Sequence, residues 1–288
     1  MEESTLTLEN GFLMIHTLLL MGKNWNFLLL SNLFLVLPFL VPAQTLEFEV
    51  EVGEIATVDI DRNGKIYVVD HQGNVAQWVN TTKEKWYSPQ AAAEVQIDAW
   101  AMLNTVLFSP DWQAIRILGL QLTVQSEYIF SPELIEYASV ATNATDGGIW
   151  LYDQPAFRMK KYYPSTESLS INVELERLIN GNDWNPIWMK EFQNNLYVLD
   201  EIKGVYTFDL LGNILSMPYD VKGATLIGLT AKEMYWLENG KEIHFKELYG
   251  VKTRFLELPI TNVEAILFND SQNRLYCFKN KKMYAYQL

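Results

Sequence analysis

The chain has 288 residues but only one cysteine, Cys277, and three histidines. A single cysteine excludes an internal disulfide, so the fold must be held by burial, and Cys277, set in an apolar run, reads as a small hydrophobe. Only His71 and His244 lie beyond residue 43, which leaves little material for a multi-histidine zinc centre or a Ser-His-Asp triad. Bases are also scarce: 22 Lys and Arg stand against 35 Asp and Glu, a formal net charge of -13. Nucleic-acid binding neutralises phosphates with Lys and Arg, so no nucleic-acid partner is expected. No nucleotide or metal motif stands out, and no cofactor is expected.

Long hydrophobic runs are confined to the start. Residues 27–43 follow Lys23, carry an apolar core and end in Val41-Pro42-Ala43, the layout of a cleavable secretory signal. The core, about 16 residues broken by Asn32 and Pro38, is short for a ~20-residue membrane span, so no stable span is expected after cleavage. Glu2, Glu3 and Glu9 have the wrong charge for the start of such a signal, and Met21 is read as the true start. Residues 1–43 are therefore an extension plus signal, and 44–288 the mature chain, with 32 acids against 21 bases. With no cysteine at the junction to carry a lipid, the expected location is periplasmic or secreted.

What the chain has in plenty is one phrase, apolar-aromatic-x-x-acidic. It occurs as Ile66-Tyr67-Val68-Val69-Asp70, Ile149-Trp150-Leu151-Tyr152-Asp153, Leu196-Tyr197-Val198-Leu199-Asp200 and Met234-Tyr235-Trp236-Leu237-Glu238, with a weaker copy at Leu275-Tyr276-Cys277-Phe278. The aromatic-to-aromatic steps are 83, 47, 38 and 41 residues, so the first conceals one further copy. Short-strand repeats of about 40 to 45 residues mark β-propeller blades. Turns flank the phrases, as in Asp61-Arg62-Asn63-Gly64 and His71-Gln72-Gly73-Asn74, and an Asn-Gly pair between apolar runs signals a hairpin. The hidden blade falls near residues 105–119, with residues 115–119 read as its second strand and Arg116 aligned with Tyr67.

The chain closes on the third strand of its last blade, while Leu46, Phe48, Val50 and Val52 alternate with Glu47, Glu49 and Glu51 in a strand without a partner. Pairing that strand into the last blade would hide two edges. The expectation is an all-β, six-bladed β-propeller, a single domain and a monomer. Residues 81–99, 123–140 and 164–188 exceed the blade pattern and read as insertions. Ser131-Pro132-Glu133 has the form of a helix start, and Ile171, Leu175 and Leu178 have helical spacing within residues 170–179.

Trp86, Tyr87, Trp184 and Trp188, beside Asp183, lie in these insertions and are the candidate binding residues, since exposed Trp and Tyr anchor protein or sugar partners. The phrase aromatics read instead as blade-to-blade packing. Asp59, Asp61 and Asn63 match part of a calcium loop, but strands on both sides make turn chemistry the better reading, so no metal is expected.

Phe108-Ser109-Pro110-Asp111 resembles the F-S-P-D turn of TolB-type propellers, and Arg62-Asn63-Gly64-Lys65-Ile66-Tyr67-Val68-Val69-Asp70 is similar to the blade phrase of NHL-type propellers. The runs Asp146-Gly147-Gly148-Ile149-Trp150-Leu151-Tyr152-Asp153, with Phe157-Arg158, and Gly204-Val205-Tyr206-Thr207-Phe208-Asp209, with Gly212, resemble a family of exported propellers of Bacteroidota-type bacteria. That resemblance implies the fold and export and supplies no site residue. The functional expectation is a non-enzymatic binding or scaffold propeller with a protein or envelope partner. Its alternative is a propeller enzyme, a glycan hydrolase or lyase or a lactonase-like hydrolase, using carboxylates at the central channel.

Overall fold

A computed structural model describes residues 44–101, 103–179, 184–221 and 223–288. The leader expected in residues 1–43, and Asp183, lie outside the described residues. The rest is six four-stranded antiparallel sheets arranged as the blades of a propeller. The first strand, β1 (Thr45–Glu51), leaves its neighbours in sequence and joins the last blade. Blade one is β2 (Thr57–Ile60), β3 (Ile66–Val69), β4 (Val75–Val79) and β5 (Thr82–Tyr87); blade two is β6 (Gln96–Asp98), β7 (Thr105–Ser109), β8 (Ala114–Leu118) and β9 (Val124–Ile129). Blade three is β10 (Ala138–Asn143), β11 (Ile149–Asp153), β12 (Arg158–Tyr163) and β13 (Ser168–Glu174); blade four is β14 (Pro186–Phe192), β15 (Asn195–Asp200), β16 (Gly204–Asp209) and β17 (Ile214–Tyr219). Blade five is β18 (Ile227–Leu229), β19 (Glu233–Glu238), β20 (Glu242–Glu247) and β21 (Thr253–Glu257). Blade six is β22 (Ala265–Asn269), β23 (Arg274–Lys279) and β24 (Lys282–Gln287), completed by β1.

The recurring phrase occupies the second strand of its blade, and its parts have separate tasks. The aromatics Tyr67, Trp150, Tyr197, Tyr235 and Tyr276 are all buried and fill seams between neighbouring blades. Trp150 Nε1 donates to Glu191 Oε2 of the next blade at 2.6 Å, and Tyr235 accepts the Phe268 N–H of the next at 2.8 Å. Tyr235 lies over the inner strand at Gly228, where any Cβ would meet its ring at 1.8 Å. Three of the four closing acids accept backbone N–H groups, while Glu238 faces His244 at 3.3 Å. Asp70 accepts the Gln72 and Asn74 N–H groups of its hairpin, while Asp153 accepts those of Glu136 and Tyr137 and Asp200 that of Asn185, tying each blade to the crossover before it.

The expected closure is present: β1 pairs antiparallel with β24 from Thr45↔Gln287 to Glu51↔Lys282, with a bulge between Leu46 and Phe48. Phe48, Val50 and Val52 pack on the core shared by blades six and one, and the alternating glutamates face outward.

Three expectations are corrected. In the hidden blade the second strand is β7, paired with β6 and β8, so Arg116 sits on the third strand, where it bonds Glu127 at 2.7 Å. The fully buried run Thr105–Ser109, sandwiched between two strands, is the better match to the phrase. Residues 81–99, 123–140 and the described parts of 164–188 are largely outer strands with the crossovers to the next inner strands. They escaped the pattern because an outer strand with one face in water carries no buried phrase. Neither expected helix forms: Ser131 closes a single turn to Leu134 and Ile135, and Ser168–Glu174 is a strand in which Leu169, Ile171 and Val173 alternate inward. Period-two alternation there outweighs the looser helical spacing.

Deleting residues 44–51 should expose β24 as a free edge and strip the apolar cover from the seam of blades six and one. The expected result is a melting temperature lower by roughly 10 °C or more, at 2–4 °C per kcal/mol for a chain of this size, with concentration-dependent association by size exclusion.

Candidate functional site

The inner strands converge on a central channel whose waist is charged. Lys190 of β14 carries its ammonium into the axis, 3.0 Å from both oxygens of Asp59 on β2 and 3.5 Å from Asp98 Oδ1 on β6. The remaining valences of the acids are met by backbone and a hydroxyl. The Ala99 N–H donates to Asp59 at 2.8 Å, Trp100 N–H and Asn143 N–H donate to Asp98, and Thr142 Oγ1 donates to Asp98 at 2.7 Å. Four blades are thereby joined at one point. Burial pushes the Asp59 carboxyl above its usual range against the pull of Lys190, with the facing Asp98 adding to the rise. Burial also disfavours a charged Lys190, but Asp59 and Asp98 together outweigh it and hold the ammonium above its usual range.

On one side of the waist aromatic side chains gather. Trp100 meets Phe192 edge-on at 5.2 Å, and the Arg62 guanidinium caps the Trp100 ring at 5.2 Å, a contact of cation–π geometry. On the other side the channel opens into a cavity of about 250 Å³. All six blades contribute to this mouth: Thr57, Gln96 and Ile97, Ala141, Ile187 and Trp188, Leu226, and Glu264 with Ala265 form the wall, with Asp59 at the floor. Gln96 is committed to the seam of blades two and three, donating to Ser139 O and accepting Ala141 N–H. Glu264 accepts the Asn280 N–H. A second cavity of about 320 Å³ adjoins between blades five and six, sharing Thr225, Leu226, Glu264 and Ala265 and extending to Leu237, Asn239 and Gly240. The arrangement can hold an apolar or aromatic group against Trp188 and present one carboxylate below it.

The candidate binding residues are not gathered into one site. Trp188 is on the mouth wall. Trp86, 68% exposed, and Tyr87 share a groove of about 310 Å³ at the rim with Val52, Gly53 and Lys83. Trp184 is in the core of blades three and four, edge-on to Tyr152 at 5.9 Å and Tyr206 at 5.0 Å. The calcium-like loop divides its acids: Asp59 faces Lys190, whereas Asp61 accepts the Asn63 and Lys65 N–H groups of its own turn and the Tyr67 hydroxyl. Gly64 at φ 79° completes that turn. Among the described residues no group of three or more His, Cys, Asp or Glu is placed to hold a metal ion.

Lys190 and Asp98 were not among the candidate residues. Their signal was a lysine inside the apolar strand Ile187-Trp188-Met189-Lys190, and an aspartate near the end of two consecutive inner strands, Val58-Asp59 and Ile97-Asp98. A lysine is almost never fully buried unless paired.

Two outcomes follow. Replacing Lys190→Met leaves two facing buried carboxylates without a cation and should cost about 3–5 kcal/mol in chemical denaturation. Asp59, already raised by burial, then loses the opposing pull of Lys190, so its folded pKa lies above the unfolded one and the folded state binds the extra proton. Stability of this variant should therefore rise as pH falls from 8 to 5, and a loss unaffected by pH would contradict the assignment. The Cys277 thiol, buried between blades five and six and pushed up to about 12 by burial, should react with an aromatic disulfide reagent only after denaturant is added.

No protein-family model matches the chain, and no curated protein matches it in sequence. Solved structures do match. Virginiamycin B lyase from Staphylococcus aureus aligns at 13% identity over 85% of this chain and 99% of the other, with a TM-score of 0.58. The β-propeller domain of Cps50 (Swd1) from Myceliophteria thermophila aligns at 10% over 85% and 99%, TM-score 0.60, and BBS1N, solved in complex with ARL6DN, at 14% over 85% and 96%, TM-score 0.54. At such identities the likeness is one of fold, and it is to β-propellers.

Proposed function

We propose that this protein is a non-enzymatic binding propeller of the cell envelope, exported as residues 44–288, monomeric, and engaging a protein partner or envelope component through the channel mouth. The observation that carries the reading is the state of the channel acids. Asp59 and Asp98 are both spent on one ammonium, and the mouth above them is walled chiefly by apolar and amide groups around Trp188. Glycoside cleavage needs two carboxyl groups on opposite sides of a bond, one free to give a proton and the other to attack or to activate water. Two acids clamped to Lys190 are poorly suited to either task.

The fold neighbours are compatible with binding or catalysis. One structure of the S. aureus lyase is of a catalytically inactive histidine-to-alanine variant with quinupristin. Here His71 is in an exposed turn, and His244 is on the third strand of blade five, stacked between Trp236 and Phe255, so neither lines the mouth. BBS1N was solved with a protein bound, which favours the partner reading. Among the described residues no helix is long and apolar enough to cross a membrane. Placement in the periplasm or outside the cell rests on the signal-like residues 27–43.

The test is gentle purification of tagged residues 44–288 from the native envelope, with mass spectrometry of what accompanies them. A stoichiometric companion lost on Trp188→Ala, with the melting temperature unchanged, is the expected result. Trp184→Ala is unsuitable because it would open the core, at a cost of about 3–5 kcal/mol. Recovery of a lone chain under every extraction condition would contradict the proposal.

A further inference from the structure

The waist of the channel sets two carboxyl groups against one ammonium, and burial favours the protonated form of Asp59, so a second cation beside Asp59 would be balanced by release of that proton. The mouth that leads to it adds Glu264, and among the described residues no Lys, Arg or His lines it or the adjoining cavity. A second carboxylate in a low-dielectric site is costly unless it takes up a proton or a counter-charge approaches. The Asp59 side chain keeps about 13% of its surface open, and Asp59 forms part of the cavity floor. The walls between it and solvent are Ile97, Ile187, Trp188 and Leu226, which suit a hydrocarbon or aromatic stem. The cavity, about 250 Å³, is below the usual range of about 300–1,000 Å³ for drug-sized ligands.

We infer that the mouth takes a singly charged organic cation, an alkylammonium or guanidinium head on an apolar stem, with the head directed at Asp59 and the stem against Trp188 and Leu226. The inference rests on the mouth being a binding site and adds the chemical class of its occupant. That head could belong to a free small amine or to a Lys or Arg side chain of a partner protein. In both cases one positive charge is set opposite the ionised form of Asp59. The acidic surface of the chain as a whole raises the local concentration of such cations without selecting among them, so selectivity must come from the mouth.

Titration calorimetry with phenethylammonium, its neutral counterpart 2-phenylethanol, and the capped tripeptide Gly-Lys-Gly separates the outcomes. The cation should bind at least about tenfold more tightly than the alcohol, and Asp59→Asn should abolish that difference. If Asp59→Asn fails to fold, Leu226→Lys, on the half-buried mouth wall, supplies a positive charge internally and should eliminate cation binding while circular dichroism stays unchanged. Tighter binding of the tripeptide would identify a partner's side chain, and tighter binding of the amine a small metabolite; either upholds the inference. Equal binding of cation and alcohol would overturn the charge assignment while leaving the mouth as a binding site. If no probe binds a folded protein that still retains a companion through Trp188, the inference falls and the binding reading stands.

Discussion

Lys190 is the residue on which the centre of this molecule turns. Six blades of similar shape have no intrinsic reason to meet at a defined axis, and apolar seams between them permit small slippage. An ammonium held by Asp59 and Asp98, with Thr142 completing the second acid, permits little, because each displaced contact leaves a charge buried without a partner. Bringing ions out of water costs several kcal/mol each before their attraction is counted. The net gain in stability is therefore modest, and the stronger consequence is geometric: blades one, two, three and four are held in fixed relation at the waist. The cluster of Trp100, Phe192 and Arg62 lies on one side of that point and the open mouth on the other.

The fold was legible because a propeller repeats its instructions. An aromatic at the second position of the second strand fills a seam in every blade that carries the phrase, and the closing aspartates Asp70, Asp153 and Asp200 serve a hairpin or the crossover before it. Closure was legible for a different reason, since a half-polar strand such as β1 must find an edge. Legibility failed where the constraint was weaker. Outer strands carry only alternation, so β5, β9 and β13 read as insertions, and in blade two Val106 stands where other blades have an aromatic.

The site was less legible than the fold, and Trp184 and Trp188 show why. They are four residues apart in one stretch of chain, yet Trp184 lies in the seam between blades three and four while Trp188 lines the mouth. Aromatic content marks both an anchor and a core residue, and only the strand position separates them. Lys190 was missed because its importance is collective: it acquires meaning only when Asp59 and Asp98, 131 and 92 positions earlier in the sequence, are seen at the same level of the channel. The mouth, assembled from residues on or beside the inner strands of six blades, has no local motif at all.

The central claim is that the channel acids are committed to Lys190 and hence positioned for structure and for charge, with the mouth above them left to bind. Nitrogen-15 NMR of the Lys190 ammonium tests it most directly. A protonated, slowly exchanging ammonium from pH 5 to pH 10, with its signal shifted by Asp59→Asn and by Asp98→Asn, is the result this account predicts. An ammonium in fast exchange with water and indifferent to both substitutions would mean that the two carboxylates are free, and would return the channel to the list of candidate catalytic centres.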